Sequence, residues 1–416
     1  MDIYNTLSKE IETISSISKD NRIGVYACGP TVYDFAHIGH MRKYSMDDVL
    51  VRTLRKQQFR VQHVVNVTDV GHLVSDGDTG EDKMLKGARK SGKTVWEVAQ
   101  FFEDDFWNKL DRMNILRPDV APQATAHIAE QIAQVQTLEK NGFTYEIPGD
   151  GIYFDTSKDP QYGELAGLKL DDQLDGARIG VTAGKRHPAD FALWKFSPTD
   201  EQRAMEWNSP WGKGFPGWHI ECSAMSMKYL GDQFEIHTGG IDHIPVHHTN
   251  EIAQAENASG KRPFVQQWVH YNFLLVDGQK MSKSLENYYT LDDVEKRGFS
   301  PMVLKMLFLS ASYRDELNFT WESLEGMQKG YERLQRRAQL LLEQSPYSSW
   351  EEVPEITAVE LSGALSAIWQ EFVGHLVNDL KTPQALATVW KIVKQKDPQS
   401  VVVLKEAVSY LGLLLG

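Results

Sequence analysis

Two apolar runs of strand length flank one helix-length segment near the start of the chain, and this arrangement restricts the fold more than any other feature. The first run, Ile23 to Cys28 (IGVYAC), leads through Gly29-Pro30-Thr31 into a helical pattern from about Ile38 to Lys56. The second, Val61 to Val67 (VQHVVNV), fits a buried parallel strand. Strand, turn, helix and strand within the first ~70 residues predict a βαβ unit of a doubly wound sheet, and such sheets bind ligands at their strand C-termini. Cys28 and Thr68 are expected at that edge.

Downstream, Gly71 to Asp82 (GHLVSDGDTGED) is polar, acidic and glycine-containing, which predicts an exposed loop. Thr94 to Leu110 and Ala126 to Lys140 read as helices, the second stopped by Asn141-Gly142. Between about Gly149 and Trp211, frequent Gly, Pro and Asp separate short apolar pieces such as Ile152-Tyr153-Phe154 and Phe191-Ala192-Leu193-Trp194, so an insertion with small strands is expected. A further strand is expected from Trp268 to Val276. Leu324, Met327, Tyr331, Leu334, Ala338 and Leu341 alternate at spacings of three and four, which marks one apolar helix face. Helices are also expected over about Ala358 to Leu376, Pro383 to Val393 and Val401 to Leu415, so a helical bundle closes the chain.

A length of 416 residues gives room for roughly two to four domains, and 41% hydrophobic residues can fill more than one core. No apolar run reaches the ~18 residues of a membrane span, and Met1 to Asn5 lack the basic start of a signal peptide, so an intracellular, soluble protein is expected. The formal charge of 44 − 57 = −13 argues against a protein that coats nucleic acid indiscriminately, but leaves room for a local basic groove. The two cysteines, Cys28 and Cys222, are expected as free thiols or metal ligands rather than as a disulfide.

Three groups of residues carry chemistry. His247 and Glu251, in HHTNE, stand at i, i+4 and could reach one cation from one helix face. Cys28 and Cys222 would complete a set of two thiolates, one imidazole and one carboxylate suited to zinc; His219, His243 and His248 are alternative ligands, and buried cysteines beside a polar surface turn are the plainer reading. His37-Ile38-Gly39-His40 opens the first helix, where free N–H groups and two imidazoles suit phosphate oxygens. Lys280-Met281-Ser282-Lys283-Ser284 follows the later strand and places two lysines on a loop where they could neutralise a leaving pyrophosphate.

HIGH near the N-terminus and KMSKS far downstream resemble the signature pair of class I aminoacyl-tRNA synthetases. YACGPTVYDFAHIGH, NVTD, SPWGKGFPGWHIECSAM, GGID followed by HHTNEIAQ, and KMSKSLEN occur in the order found in cysteinyl-tRNA synthetases, across nearly the whole chain. The resemblance implies an α/β fold, a Rossmann-like parallel sheet with a connective insertion followed by a C-terminal α-helical bundle. It divides the chain into a first catalytic half (1–115), the insertion (116–210), a second catalytic half with the zinc site (211–275), the KMSKS loop and stem-contact region (276–318) and a tRNA-binding bundle (319–416). It implies an enzyme that uses ATP to activate L-cysteine and transfers it to tRNA(Cys), with Mg2+ expected from the chemistry; a cytoplasmic monomer is expected, since no sequence feature specifies a dimer.

Carried over by position, the zinc ligands fall on Cys28, Cys222, His247 and Glu251, and Gly29, Thr68, Trp218 and Asp242 match the amino-acid pocket. His37, Gly39, His40, Gly239, Gly240 and Lys283 match ATP-binding positions, and His37, His40, Lys280 and Lys283 the catalytic ones. The chain departs from the family's usual residues at Phe215, Thr238, Thr249 and Glu286, none of which is a named catalytic group. Lys329, Arg333, Arg336 and Arg337 are candidate tRNA-stem contacts. The chain stops near the bundle's end, so the small anticodon-reading subdomain of many relatives is expected to be missing. Some relatives pass cysteine to a small amine, as the mycothiol-pathway ligase does, and that is the alternative acceptor.

Overall fold

The computed structural model describes residues 1–71, 88, 92–167, 183–198, 203–282, 285–361 and 363–415. A hairpin of β1 (Asp2–Asn5) and β2 (Glu10–Thr13) opens the chain, followed by β3 (Arg22–Ala27), α1 (Ile38–Lys56) and β4 (Arg60–Val65). β3 and β4 pair in parallel from Arg22↔Arg60 to Ala27↔Val65, which is the unit the two apolar runs predict. Of the expected loop from Gly71 to Asp82, all but Gly71 lies outside the described residues.

α2 (Val95–Arg112) starts at a reciprocal cap between Thr94 and Glu97. α3 (Ile128–Lys140) follows a short 3-10 turn and ends at Asn141, with Gly142 at φ +85°. Next comes a five-stranded antiparallel sheet of β5 (Thr144–Ile147), β6 (Gly151–Phe154), β7 (Phe191–Phe196), β8 (Trp207–Ser209) and β9 (Gly212–Pro216), ordered β5-β6-β7-β9-β8. This insertion is wider than the text between Gly149 and Trp211 suggests, because β5 and β9 supply strands on either side of it.

The chain then returns through α4 (Trp218–Leu230), β10 (Phe234–Gly240), α5 (Thr249–Ser259) and β11 (Val265–Tyr271). β10 pairs in parallel with both β3 and β11, completing a central sheet of order β11-β10-β3-β4. The expected strand from Trp268 to Val276 is two strands in two sheets. β11 stops at Tyr271, and β12 (Leu274–Val276) pairs with β13 (Gln279–Lys280) and β14 (Leu317–Phe319). The break has a physical cause. The buried Arg42 guanidinium donates to the carbonyls of Asn272 (3.0 Å) and Phe273 (2.7 Å) where the chain leaves β11, and Phe273 O also accepts from Leu317 N (3.1 Å), the first bond of the new ladder to β14.

α6 (Leu291–Lys296) and α7 (Pro301–Leu309) precede β14, and α8 (Trp321–Glu343), α9 (Gly363–Val377), α10 (Thr382–Ile392) and α11 (Ser400–Leu411) form the closing bundle. The stripe predicted on α8 is buried at Leu324, Tyr331, Leu334, Ala338 and Leu341. One core runs from the central sheet through Met46 and Leu50 of α1 to Val303 and Leu307 of α7 and Val403 and Tyr410 of α11, so the bundle packs on the helix that begins with HIGH. At that junction Lys305 donates to Asp48 (2.8 Å), which also holds Arg52 (2.8 Å). Among the described residues no helix is long and apolar enough to cross a membrane.

Candidate active site

A cavity of about 490 Å3 opens at the C-terminal edge of β3, β4 and β10, the edge expected to bind ligand. Its floor requires Gly29: a Cβ there would lie 1.5 Å from the Asn66 carbonyl oxygen. The Asn66 side chain ties this floor together, accepting from the Gly29 amide (2.9 Å) and donating to Thr68 Oγ1 (3.1 Å). Trp218, the first residue of α4, packs its ring 4.5 Å from that of His247, tilted by 39°. Asp242 lies in the turn after β10, where Gly240 leaves room for its carboxylate; a Cβ on Gly240 would stand 2.3 Å from Asp242 Oδ1. Gly29, Thr68, Trp218, Gly240 and Asp242 all line the cavity.

The HIGH segment caps its own helix. His37 Nδ1 accepts from the Gly39 amide (3.0 Å), and His40 Nδ1 accepts from the His37 amide (3.1 Å), with the two rings 3.8 Å apart. Both Nδ1 atoms are thereby acceptors, which leaves Nε2 as the protonated nitrogen of each neutral ring. Burial and then the neighbouring His40 push His37 down to about 2, so it acts as a neutral donor. Enclosure by the cavity wall and then the Lys43 ammonium push His40 the same way, although its surface is open to solvent.

The KMSKS segment comes back over this helix start. A Cβ on Gly39 would stand 2.7 Å from Met281 Cε and 2.8 Å from the His37 ring, so the two signatures approach closely at this glycine. Ile38 N donates to Tyr289 O (2.9 Å), and the Tyr288 ring meets His37 edge-on at 5.0 Å. Lys280 lies at the end of β13 with its ammonium 3.9 Å over the Phe273 ring. Asn287 braces the loop by donating to Lys280 O (3.1 Å) and accepting from Ser282 N (2.8 Å). Lys283 lies outside the described residues.

Behind the cavity, Cys28, Cys222, His247 and Glu251 bring one donor atom each within 4.8 Å of the others, and all four are buried. The local structure differs from the expected plain helix. His247 belongs to a π-helical turn, Ile244–His248, that runs into α5, and Glu251 lies in the first turn of α5. The spacing still brings His247 Nε2 to 3.0 Å from Glu251 Oε1. Burial opposes the charge on both, yet each outweighs it for the other: Glu251 and Cys222 lift His247 to about 10, and His237 and His247 hold Glu251 down at about 2. Burial pushes the Cys28 thiol up, and the hydrogen bond with Cys28 followed by burial pushes Cys222 higher. Two thiols, an imidazole and a carboxylate converging in a buried pocket fit zinc, whose charge would hold both sulfurs as thiolates.

A second group meets the same distance criterion: Cys28, His237, His248 and Glu251. Of the alternative ligands, His248 thus faces Cys28, at 3.2 Å, whereas His219 stands behind His247 with its Nδ1 2.9 Å from His247 Nδ1. Gly239 lies beside this group rather than along the cavity wall; a Cβ on it would be 2.4 Å from the His248 ring. Reading the sequence by motif overlooks Arg42, Lys43 and Tyr44, which follow HIGH after Met41. Lys43 Nζ (2.7 Å) and Tyr44 OH (3.1 Å) both donate to the Cys28 carbonyl, and Lys43 also pairs with Asp47 (2.9 Å). Their adjacency to HIGH is the only sequence signal they carry.

Comparison with known proteins adds independent information. Residues 14–329 match a family profile described as tRNA synthetases class I (C) catalytic domain. The chain is 46% identical to a cysteine-tRNA ligase of Treponema denticola, over 99% of this chain and 86% of that protein. It is 45% identical to cysteine-tRNA ligase 1 of Burkholderia lata, over 100% of this chain and 83% of that one. In fold it is similar to Mycobacterium tuberculosis methionyl-tRNA synthetase in complex with methionyl-adenylate, with a TM-score of 0.62 and 15% identity over 94% of this chain and 88% of that one.

Proposed function

This chain belongs to the cysteinyl-tRNA synthetase family of class I aminoacyl-tRNA synthetases, and from that premise we propose which of its residues carry the ligation of cysteine to tRNA. The observation that carries the reading is the meeting of Gly39 and Met281 over a cavity whose far wall is the Cys28, Cys222, His247 and Glu251 cluster. ATP occupies the cavity beside α1, with Mg2+ accompanying it, and the amino acid occupies the end next to the cluster. His37 and His40 donate Nε2–H bonds to the α-phosphate as the cysteine carboxylate attacks it. Lys280 and Lys283 neutralise the pyrophosphate that leaves. Neither step needs proton transfer to the protein, so positioning and charge stabilisation carry the rate.

Thr68, Trp218 and Asp242 hold the amino acid, Asp242 through the ammonium group, and Gly29 and Asn66 shape the floor beneath it. Gly240 forms the turn beside the adenosine, and Gly239 packs behind it against the His248 ring. Cys28, Cys222, His247 and Glu251 would hold zinc. When bound, zinc supplies a soft contact that favours a substrate thiolate over the harder hydroxyl of serine. The working unit in this proposal is a single chain, and its substrates place it in the cytoplasm. The division at residues 115, 210, 275 and 318 belongs to the same proposal.

The test is cysteine-dependent exchange of pyrophosphate into ATP, followed by charging of tRNA(Cys) with a small amine acceptor in parallel. Cys222→Ser is expected to lose zinc and exchange together, and exchange at the wild-type rate in a zinc-free variant would refute the pocket assignment. His40→Ala is expected to slow exchange with little change in KM for cysteine; a raised KM at unchanged kcat would remove His40 from its role.

A further inference from the structure

The second group of four donors leads away from the cavity along a hydrogen-bonded line to the N-terminal turn. His248 Nε2 stands 3.2 Å from Cys28 Sγ, and His248 Nδ1 is 2.7 Å from His270 Nε2. His270 Nδ1 is in turn 2.7 Å from Thr6 Oγ1. His248, His270 and Cys28 are all buried, and the Trp268 ring lies 4.9 Å from that of His248. Thr6 is itself fixed, since its amide donates to Trp268 O (2.9 Å) just beyond β1. A parallel contact reaches the other shared donor: His237 Nε2 is 2.9 Å from Glu251 Oε2.

The direction of this line follows from its inner end. A thiolate accepts and does not donate, so His248 must present Nε2–H to Cys28. A neutral His248 then has Nδ1 as an acceptor, which requires His270 to donate from Nε2. His270 Nδ1 is left to accept, and the Thr6 hydroxyl is the donor that faces it. The hydroxyl could equally accept, so the thiolate end and not Thr6 selects the tautomer; what Thr6 supplies is a partner that holds the His270 ring where its Nε2 meets His248, and a methyl group would leave that buried nitrogen unpaired and the ring unanchored.

Resting on the reading that Cys28, Cys222, His247 and Glu251 hold zinc, we propose that Thr6 is a positioning residue for the metal centre. It anchors the His270 ring and, through it, the orientation of the His248 imidazole that donates to the Cys28 sulfur. His237 and His248 accordingly form a donor shell around a single ion and do not bind a second one. Such outer contacts orient ligands and tune affinity, typically by about 10- to 100-fold when lost.

The experiment compares the full chain with Thr6→Val and Thr6→Ser after loading with cobalt(II) as a spectroscopic probe. Bound metal is counted, affinity is measured by chelator competition, and the thiolate-to-cobalt band is recorded. The expected result is one ion per chain throughout, about 10-fold weaker binding and a shifted band in Thr6→Val, and wild-type behaviour in Thr6→Ser. Wild-type affinity and spectrum in Thr6→Val, or two ions per chain, would overturn the proposal. Long-range 1H–15N correlation of histidine-labelled, zinc-loaded wild type needs no variant: His270 protonated on Nε2 supports it, and protonation on Nδ1 overturns it. Full cobalt binding by Cys222→Ser would instead refute the zinc assignment on which the inference rests.

Discussion

At Gly39 a single hydrogen in place of a side chain leaves room for the His37 ring and for the Met281 methyl group above it. A Cβ there would press on both Met281 Cε (2.7 Å) and the His37 ring (2.8 Å). Gly39→Ala should therefore leave the thermal midpoint near that of wild type while cutting the exchange rate by about 10²-fold, because a shift of this size misplaces the phosphate donors. Unchanged exchange would mean that the two signatures need not touch. His63 makes a separate prediction about pH. Among the described residues neither of its ring nitrogens has a hydrogen-bond partner, and burial foremost holds its pKa at about 4, below the ordinary 6.5. The folded chain therefore binds fewer protons there than the unfolded chain. Its contribution to stability is full above pH 6.5 and falls as the pH drops toward 4, by about 3 kcal/mol in total. Denaturant titrations across this range should show a flatter acid limb for His63→Leu than for wild type.

At the scale of elements, α1 joins the chemistry to the rest of the molecule. His37 and His40 cap its start, and Arg42 holds the carbonyls of Asn272 and Phe273 together with those of Ser312 (3.0 Å) and Asp315 (2.7 Å). Farther along, Asp48 meets Lys305 of α7 where both side chains are wholly buried. Burial disfavours the charged form of each, but the pair and Arg52 keep Asp48 low, whereas burial lowers Lys305 despite its partner. Lys305→Met should destabilise the chain by about 3 kcal/mol by urea unfolding, and adding Asp48→Asn should restore part of that loss. A double variant less stable than Lys305→Met would argue against a charge-based cost. The extent of α1 is legible in the sequence, because its caps and apolar positions are local. The break after Tyr271 is not, since it depends on an arginine 230 residues before Asn272. The candidate metal donors are legible as a set, but the choice between His247 and His248 is not, because a π-turn decides which imidazole faces Cys222.

Across the whole molecule, the N-terminal hairpin and the bundle hold each other. Asp379 accepts from Tyr4 N (3.0 Å) and from Tyr313 OH (2.5 Å) and pairs with Arg314 (3.0 Å), while its amide donates to Asp2 O (2.9 Å). Both Asp379 and Leu380 sit at positive φ, so this corner has no counterpart in helix periodicity and is read only from the folded chain. The exposed face of α8 carries Lys329, Arg333, Arg336 and Arg337, in a chain whose net charge is −13. Arg336→Glu with Arg337→Glu should raise KM for tRNA and weaken the salt dependence of charging, leaving pyrophosphate exchange unchanged. If charging kinetics stay at wild-type values across salt concentrations, this face does not meet tRNA.

The floor of the cavity also determines where new substrate range could be engineered. At Gly29 the smallest possible side chain would overlap the backbone of Asn66, which has no rotamer to move aside. A directed-evolution library seeking activity on larger thiols such as homocysteine should recover glycine at position 29 in every active clone. The accepted diversity should collect at Trp218, whose indole is a side-chain wall and can be exchanged for a smaller one.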